Sequence, residues 1–171
     1  MTKYMTKILI RKAKKSDMQT IQKLLSTYFL DMEDLDPEDF FLYEIDRKII
    51  GCISLIKTKF NGKNIMEIHS IAVHPNFRGK DIGTKLVKHL LKNIEKYAFD
   101  FYVRTSVPRF FEKLDFVKIE NSEKFSLWED CKNCEHLEKC TQYAMKYSYN
   151  PVKFYSSQVL QKSNYDVNSD E

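Results

Sequence analysis

Glycine is scarce in this chain, with only four among 171 residues, and two of the four, Gly79 and Gly83, lie close together. Glycine permits backbone angles and close approaches that a Cβ would obstruct. In a chain that uses glycine so sparingly, a local pair predicts a place where the backbone itself contacts something bulky. Hydrophobic and aromatic residues make up 43% and 13% of the chain, which is enough for a folded core and excludes global disorder.

The chain also lacks long apolar runs and any large excess of one charge sign. Its longest apolar run, residues 49–56, is far too short to cross a bilayer, and the first ten residues contain no apolar signal-peptide core. The 28 Lys and Arg are interleaved with 24 Asp and Glu, for a net charge of +4. We therefore expect a cytoplasmic protein without membrane association, and the absence of a dense basic patch argues against nucleic acid as a partner.

Short segments with strand-like alternation and longer segments with helical periodicity follow one another along the chain. Strands are predicted at residues 8–13, 40–45, 49–58, 64–73, 100–104, 116–119 and 142–149, and helices after Ser16, from Ile82 to Tyr97 and at residues 108–114. This order predicts a mixed α/β domain over residues 1–149. Residues 150–171 are polar and end in acidic side chains, which predicts a C-terminal tail.

The segment from Ile71 to Thr84 combines a strand end, a polar loop and a helix start. Arg78 and Lys80 flank Gly79 in the loop. A helix N-terminus offers unpaired N–H donors and a partial positive charge, and exposed glycine backbone lets an anion approach those donors. The pattern predicts a pyrophosphate-type ligand. On these features alone, an ordinary strand-to-helix turn on a solvated face is the alternative.

Residues 71–86, IAVHPNFRGKDIGTKL, resemble the acetyl-CoA-binding motif of the GNAT superfamily of N-acetyltransferases, V-x-P-x-x-R-G-x-G-I-G. The element order also resembles that fold, a mixed, mostly antiparallel sheet flanked by helices. The resemblance implies acetyl-CoA as cosubstrate, with the backbone of Ile71, Ala72 and Val73 along the pantetheine arm and the Val73 N–H on the thioester carbonyl. It places the pyrophosphate on the backbone N–H groups of Arg78, Gly79, Lys80, Asp81, Ile82, Gly83 and Thr84.

This chain has Asp81 where the motif of the superfamily has glycine. Aspartate tolerates left-handed backbone angles better than most residues, and it is a good helix N-cap. Its carboxylate would lie near a pyrophosphate. Two consequences are open: repulsion that weakens coenzyme binding, or a side chain that turns away to cap the helix.

Acetyl transfer to an amine needs a base that takes a proton from the ammonium. Strand alternation predicts that Glu67, His69, Ile71 and Val73 share one face. Glu67 lies six residues before Val73, where many members of the resembling superfamily carry a glutamate, so Glu67 is our candidate base and His69 the second choice. The alternative is that both are half-exposed strand residues in ordinary hydrogen bonds.

The acid that protonates the leaving thiolate is less evident in the sequence. Many superfamily members carry a tyrosine in a pattern similar to residues 110–116, FFEKLDF, but its position is occupied by Phe111, which cannot donate a proton. Either water or another hydroxyl serves, with Tyr102, Thr105 and Ser106 as candidates, or the thiolate leaves unassisted.

Residues 66–79, 104–106 and 110–116 resemble the acetyltransferase domain of N-acetylglutamate synthases, here in a short stand-alone form. The resemblance implies an amino-acid acceptor, glutamate first, with Arg104 and Arg109 as candidates for binding its carboxylates. Solvent-facing arginines are the alternative. The rival functions are acetylation of a protein or peptide N-terminus, and a non-catalytic module that binds CoA or nucleic acid. A homodimer is common in the resembling fold.

Three cysteines and a histidine lie within ten residues of the Cys-rich segment 128–141: Cys131, Cys134, His136 and Cys140. Zinc takes four nitrogen or sulfur ligands, and a C-x-x-C turn commonly supplies two of them. The spacing predicts a structural zinc site that staples the loop before the last strand. An iron–sulfur centre and free buried or redox-active thiols are the other interpretations.

Overall fold

The computed structural model describes residues 6–148, except for residues 31, 34, 61, 94–99 and 137–138. Seven strands form one mixed sheet in the order β1-β2-β3-β4-β5-β7-β6. All neighbouring strands are antiparallel except β4 and β5, which are parallel. The strands are β1 (Ile8–Lys12), β2 (Phe40–Ile45), β3 (Lys48–Phe60), β4 (Lys63–Val73), β5 (Phe101–Thr105), β6 (Val117–Lys118) and β7 (Tyr143–Tyr147).

The helices of the described ranges are α1 (Met18–Ser26), α2 (Ile82–Lys92), α3 (Pro108–Glu112), α4 (Asn121–Leu127) and α5 (Glu129–Lys132). Helices α4 and α5 fall in a segment for which the sequence predicted none. Ser16 does not cap α1: the preceding turn is fixed by Asp17, whose carboxylate accepts from the Lys14 N–H at 2.8 Å. The predicted end of the long helix at Tyr97 and the tail at residues 150–171 lie outside the described residues. None of the described helices is long and apolar enough to span a membrane.

The sheet is covered on both faces, because α1 and α2 each bury one apolar stripe. Ile82, Leu86, Val87 and Leu90 of α2 are all buried and pack with the residues of one sheet face. Ile21, Leu24 and Leu25 of α1 pack with the residues of the other face. The two helices thereby fix the strand ends that carry the candidate site.

Strand β4 contains a β-bulge in its pairing with β3. Leu55 faces Ile68 but Ile53 faces Ile71, so β4 has one more residue than β3 over this stretch. An extra residue reverses the alternation of side chains. Ile71 therefore packs in the α2-side core together with Ile68, whereas Glu67 lies on the opposite face. The prediction that Glu67 and His69 share a face with Ile71 and Val73 is wrong for this reason.

Strands β4 and β5 stay together for only three residue pairs, from Met66–Phe101 to Ile68–Val103. Beyond Ile68, the end of β4 has no described strand on that side. The His74 N–H donates to the Ile50 carbonyl of β3 at 2.7 Å. In an antiparallel strand, the backbone N–H and C=O of successive residues point to alternate edges of the strand. Because those of His74 point toward β3, the N–H and C=O of Val73 point to the edge away from β3.

Candidate active site

Helix α1 ends in a tight turn that places two apolar side chains beside the open end of the sheet. The Phe29 N–H donates to the Ser26 carbonyl and the Leu30 N–H to the Leu25 carbonyl, each at 3.1 Å. These two bonds form a Schellman motif, whose turning residue is usually glycine. Here it is Phe29, with a left-handed φ of 56° and a side chain that is 99% exposed.

A cavity of about 210 Å³ opens where the end of α1, strands β4 and β5 and the approach to β7 meet. Its lining combines two exposed apolar side chains with five charged or polar ones, and consists of Phe29, Leu30, Glu67, His69, Ser70, Arg104 and Gln142. The structure thus brings together three residues that the sequence singled out separately, namely Glu67, His69 and Arg104.

Glu67 lies at the centre of β4, only 6% exposed, between Ile56 of β3 and Tyr102 of β5. A carboxylate so enclosed meets solvent only through the cavity. His69 is exposed near its mouth, and its Nδ1 lies 3.1 Å from the hydroxyl of Ser70. The arrangement offers a proton acceptor at the base of the cavity and a second titratable group closer to solvent.

Arg104 is held on one side of the cavity by the α5 segment. Its Nη1 donates to Asp130 at 2.6 Å and to the Cys131 sulfur at 3.4 Å, and its guanidinium lies 5.0 Å from the Trp128 ring centre. Burial by itself lowers the pKa of Arg104, but the Asp130 and Cys131 hydrogen bonds and the nearby Asp130 and Glu67 charges outweigh it and raise the pKa. The cation is therefore permanent and oriented.

The loop before α2 has the left-handed backbone that the motif requires. Both Gly79 (φ 72°) and Asp81 (φ 58°) adopt it, so aspartate takes the conformation for which the superfamily motif has glycine. The Asp81 carboxylate makes no capping hydrogen bond to α2, so the capping alternative is not realised. A Cβ on Gly83 would lie 3.4 Å from the Phe110 ring, an ordinary van der Waals contact, so packing does not require glycine at this position.

The two loop cations are exposed and lie over aromatic rings. The Arg78 guanidinium is 5.6 Å from the Tyr28 ring centre, and the Lys80 ammonium is 4.9 Å from that of Phe77. Such contacts orient long side chains at small cost. The loop therefore presents two positive charges and the first N–H groups of an 11-residue helix beside the free edge of β4.

Several residues predicted for the site lie elsewhere. Arg109 is exposed on α3 and does not line the cavity, because α3 packs beyond the end of β5. Phe111 is 1% exposed in the α2-side core. Tyr102 packs with Trp128 in a third small core, and the hydroxyl of Thr105 already accepts from the Val107 N–H at 3.0 Å.

The predicted metal site is not formed. Among the described residues, no group of three or more His, Cys, Asp or Glu is placed to hold a metal ion, although Cys131, Cys134, His136 and Cys140 are all described. For the same reason, the three cysteines of this segment are not grouped as an iron–sulfur centre would require. All described cysteines are free thiols.

Neighbouring cations give the physical reason. The sulfur of Cys131 accepts from the Arg104 guanidinium, and that of Cys140 lies 3.7 Å from the ammonium of Lys124, which is only 1% exposed and also donates to the Gln142 carbonyl. Positive groups in contact with two of the thiols would repel a metal cation. These cysteines therefore fit free thiols better than ligands.

The sequence missed five residues that the structure places in or beside the site: Tyr28, Phe29, Leu30, Ser70 and Gln142. The Tyr28 hydroxyl donates to the Val73 carbonyl on the free edge of β4. None of the five carries a local pattern, because each reaches the site through a turn, a bulge or strand pairing.

Comparison with known proteins gives consistent matches. The sequence profile of the Acetyltransferase (GNAT) family matches residues 6–116. A Chlorobaculum tepidum protein named uncharacterized N-acetyltransferase CT2212 is 33% identical over 110 residues, which are 63% of this chain and 68% of the relative.

Solved structures share the fold. Neisseria gonorrhoeae N-acetylglutamate synthase, complexed with coenzyme A and N-acetyl-glutamate, superposes with a TM-score of 0.65 at 16% identity over 82% of this chain. The match covers only 34% of that larger chain. Arabidopsis thaliana Naa50, in complex with a CoA-peptide bisubstrate analogue, superposes with a TM-score of 0.62 at 16% identity, covering 83% of this chain and 99% of that one.

Proposed function

This chain belongs to the acetyltransferase (GNAT) family and is an acetyl-CoA-dependent N-acetyltransferase, and we propose that its acceptor is the α-amino group of a free amino acid such as glutamate. The observation that carries the proposal is the cavity in which Glu67 and Arg104 are combined. An α-amino acid has an ammonium and a carboxylate on one carbon. A carboxylate and a guanidinium in one small cavity complement that pair.

The size of the cavity supports a small acceptor. Its volume of about 210 Å³ is below the roughly 300–1,000 Å³ of pockets that hold drug-sized ligands. Asp130 and Cys131 accept hydrogen bonds from Nη1 of Arg104. The other guanidinium nitrogens can therefore donate to a carboxylate of the acceptor. The remaining polar groups of the cavity lining, available to the acceptor side chain, belong to His69, Ser70 and Gln142.

Acetyl-CoA is proposed to lie in the gap between the ends of β4 and β5. The free edge of β4 at Ile71–Val73 can pair with the pantetheine arm, as a further strand would. The N–H groups from Gly79 to Thr84, with the charges of Arg78 and Lys80, suit the pyrophosphate. The Arg78 N–H itself donates to the Pro75 carbonyl at 3.3 Å. The left-handed backbone at Asp81 keeps this loop in its turn despite the missing glycine.

In the proposed reaction, Glu67 takes the proton from the acceptor ammonium, directly or through a water, so that the free amine can attack. Arg104 holds the acceptor carboxylate and thereby aims the nitrogen at the acetyl carbonyl. The Val73 N–H, on the free edge of β4, donates to the carbonyl oxygen as negative charge develops there. His69 is placed to pass the proton on to solvent.

The test is release of free thiol from acetyl-CoA by the purified protein, across a panel of amino acids headed by glutamate. Glu67→Gln should lower kcat by about 10²- to 10⁴-fold. Arg104→Gln should raise the KM for the acceptor by about 10- to 100-fold, the worth of a charged hydrogen bond. Arg109→Gln, an exposed arginine outside the cavity, is the matched control and should change neither constant.

A peptide N-terminus is the second candidate acceptor. The exposed Phe29 and Leu30 at the mouth of the cavity favour it, because they could contact apolar side chains beyond the first residue. A set of short peptides in the same assay separates the two. Turnover with peptides and with no free amino acid would overturn the amino-acid proposal.

A further inference from the structure

We propose that Tyr28, at the end of α1, donates the proton to the sulfur of CoA as the thioester is cleaved. This inference rests on the proposed function. In the step, the new C–N bond has formed and the nitrogen has lost its second proton to solvent; the oxyanion re-forms the carbonyl, the C–S bond breaks and its electron pair goes to sulfur. The phenol gives its proton to that sulfur, CoA leaves as the thiol, and the phenolate regains a proton from solvent.

The need for such a residue follows from the core. Phe111, at the position where the superfamily motif has tyrosine, is buried in the α2-side core and has no proton to donate. Tyr102 packs with Trp128 in the third core, and burial is the main cause that raises the pKa of its phenol. The Thr105 hydroxyl is engaged by the Val107 N–H. None of the three hydroxyls predicted from sequence lines the cavity: Tyr102 and Thr105 are buried elsewhere, and Ser106 is exposed outside it.

The Tyr28 hydroxyl, in contrast, lies at the free edge of β4. It donates to the carbonyl of Val73. That carbonyl and the Val73 N–H point to the same free edge of β4, and the N–H is the group proposed to bind the thioester oxygen. The phenol therefore lies beside the bond that breaks. In the proposed step, its O–H would turn from the Val73 carbonyl to the sulfur.

The position of Tyr28 is rigidly determined. Its N–H donates to the Leu25 carbonyl at 2.9 Å, and Leu25 is fully buried in the core on the α1 side of the sheet. The Schellman turn that begins at the next residue prevents α1 from continuing. A half-buried ring between a packed helix end and a strand edge is preorganised for proton transfer.

The Arg78 guanidinium supports the same role. It lies 5.6 Å from the centre of the Tyr28 ring, and Arg78 belongs to the loop proposed to bind the pyrophosphate. A cation at this distance compensates the negative charge that the phenol acquires when it gives up its proton. The contact also couples the proton donor to the segment that holds the coenzyme.

The test is Tyr28→Phe, which keeps the ring and removes only the hydroxyl. We expect kcat to fall about 10²-fold, the lower range for acid catalysis, while the Kd for acetyl-CoA measured by calorimetry changes less than twofold. The solvent deuterium isotope effect on kcat should fall, because without the phenol the C–S bond breaks with no proton transfer to sulfur in the same step. Tyr147→Phe, which removes a hydroxyl from β7 outside the cavity, is the control and should leave kcat unchanged.

The outcomes separate this inference from the proposed function. If the wild-type protein turns over an amino acid and Tyr28→Phe retains its kcat, the inference is overturned and the function stands. A loss of kcat in Tyr102→Phe instead would assign the proton to the rival hydroxyl. If the wild-type protein turns over no acceptor, the proposed function fails, and this inference fails with it.

Discussion

Replacing Phe29 by glycine should make the protein more stable and a poorer enzyme. Phe29 holds the turning position of the Schellman motif with a φ of 56°, and its side chain is 99% exposed. A left-handed conformation costs an L-residue about 1–2 kcal/mol, which glycine does not incur. Glycine costs about 0.5–1 kcal/mol more than alanine in unfolded-chain entropy.

The difference of these two ranges is about 0–1.5 kcal/mol, with a midpoint near 0.75 kcal/mol in favour of glycine, since an exposed ring contributes no buried area that the substitution could lose. For a chain of this length, that corresponds to a rise in Tm of about 1–4 °C. Urea denaturation and thermal melting of both proteins measure it.

Phe29→Ala is the matched control, because alanine removes the ring but keeps the left-handed strain. Its stability should equal that of the wild-type protein within about 0.5 kcal/mol. If the ring contacts the acceptor, both variants should raise the acceptor KM by about fivefold, the worth of roughly 1 kcal/mol of apolar contact. A glycine variant no more stable than the alanine variant would refute the strain argument. An unchanged KM in both variants would refute the contact.

Three further predictions concern the thiols, the metal and an ion pair. In the native protein, iodoacetamide at pH 7.5 should label the exposed Cys134 and Cys140. It should not label Cys52, because burial raises the pKa of that thiol to about 12. Mass spectrometry of the peptides measures the labelling of each cysteine. A zinc chelator should leave Tm unchanged, and elemental analysis should find no stoichiometric zinc; one zinc per chain would contradict the structure. Hydrogen bonds from Arg11 lower the pKa of Asp17, so its contribution to stability is present above the unfolded pKa of about 3.9 and is lost as pH falls through the lower folded value. Asp17→Asn should cost about 1–3 kcal/mol at pH 7 and less at pH 3 in urea denaturation, and an equal loss at both pH values would be contrary evidence.

Features that depend on neighbours in the chain were predictable. The Gly79 and Gly83 pair marked the loop and helix start correctly, and the left-handed backbone at Asp81 agrees with the tolerance of aspartate for that conformation. Strand β2 occupies its predicted residues, and the other strands differ from prediction by a few residues at their ends. Helices α4 and α5 were missed because both are short and depend on packing in the third core around Trp128.

The site itself was predictable only in part. Glu67, His69 and Arg104 were chosen from sequence and do line one cavity, but the bulge in β4 could not be foreseen. A bulge depends on the count of residues in two paired strands, and this count is not written in either strand alone. The sequence also could not tell that Arg109 lies outside this cavity, since one turn of a helix decides whether a side chain faces a cavity or solvent.

By itself, the sequence determined the alternation of strands and helices, the glycine-containing turn before α2 and the chemical types available for catalysis, because these depend on residues a few positions apart. Only the tertiary structure decided which chemistry is assembled. Pairing between distant strands brings Gln142 to Glu67, and helix packing brings the Tyr28 hydroxyl to Val73. The half-buried Arg104 and the buried Lys124, which belong to other elements, contact two of the thiols that their spacing alone assigned to a metal.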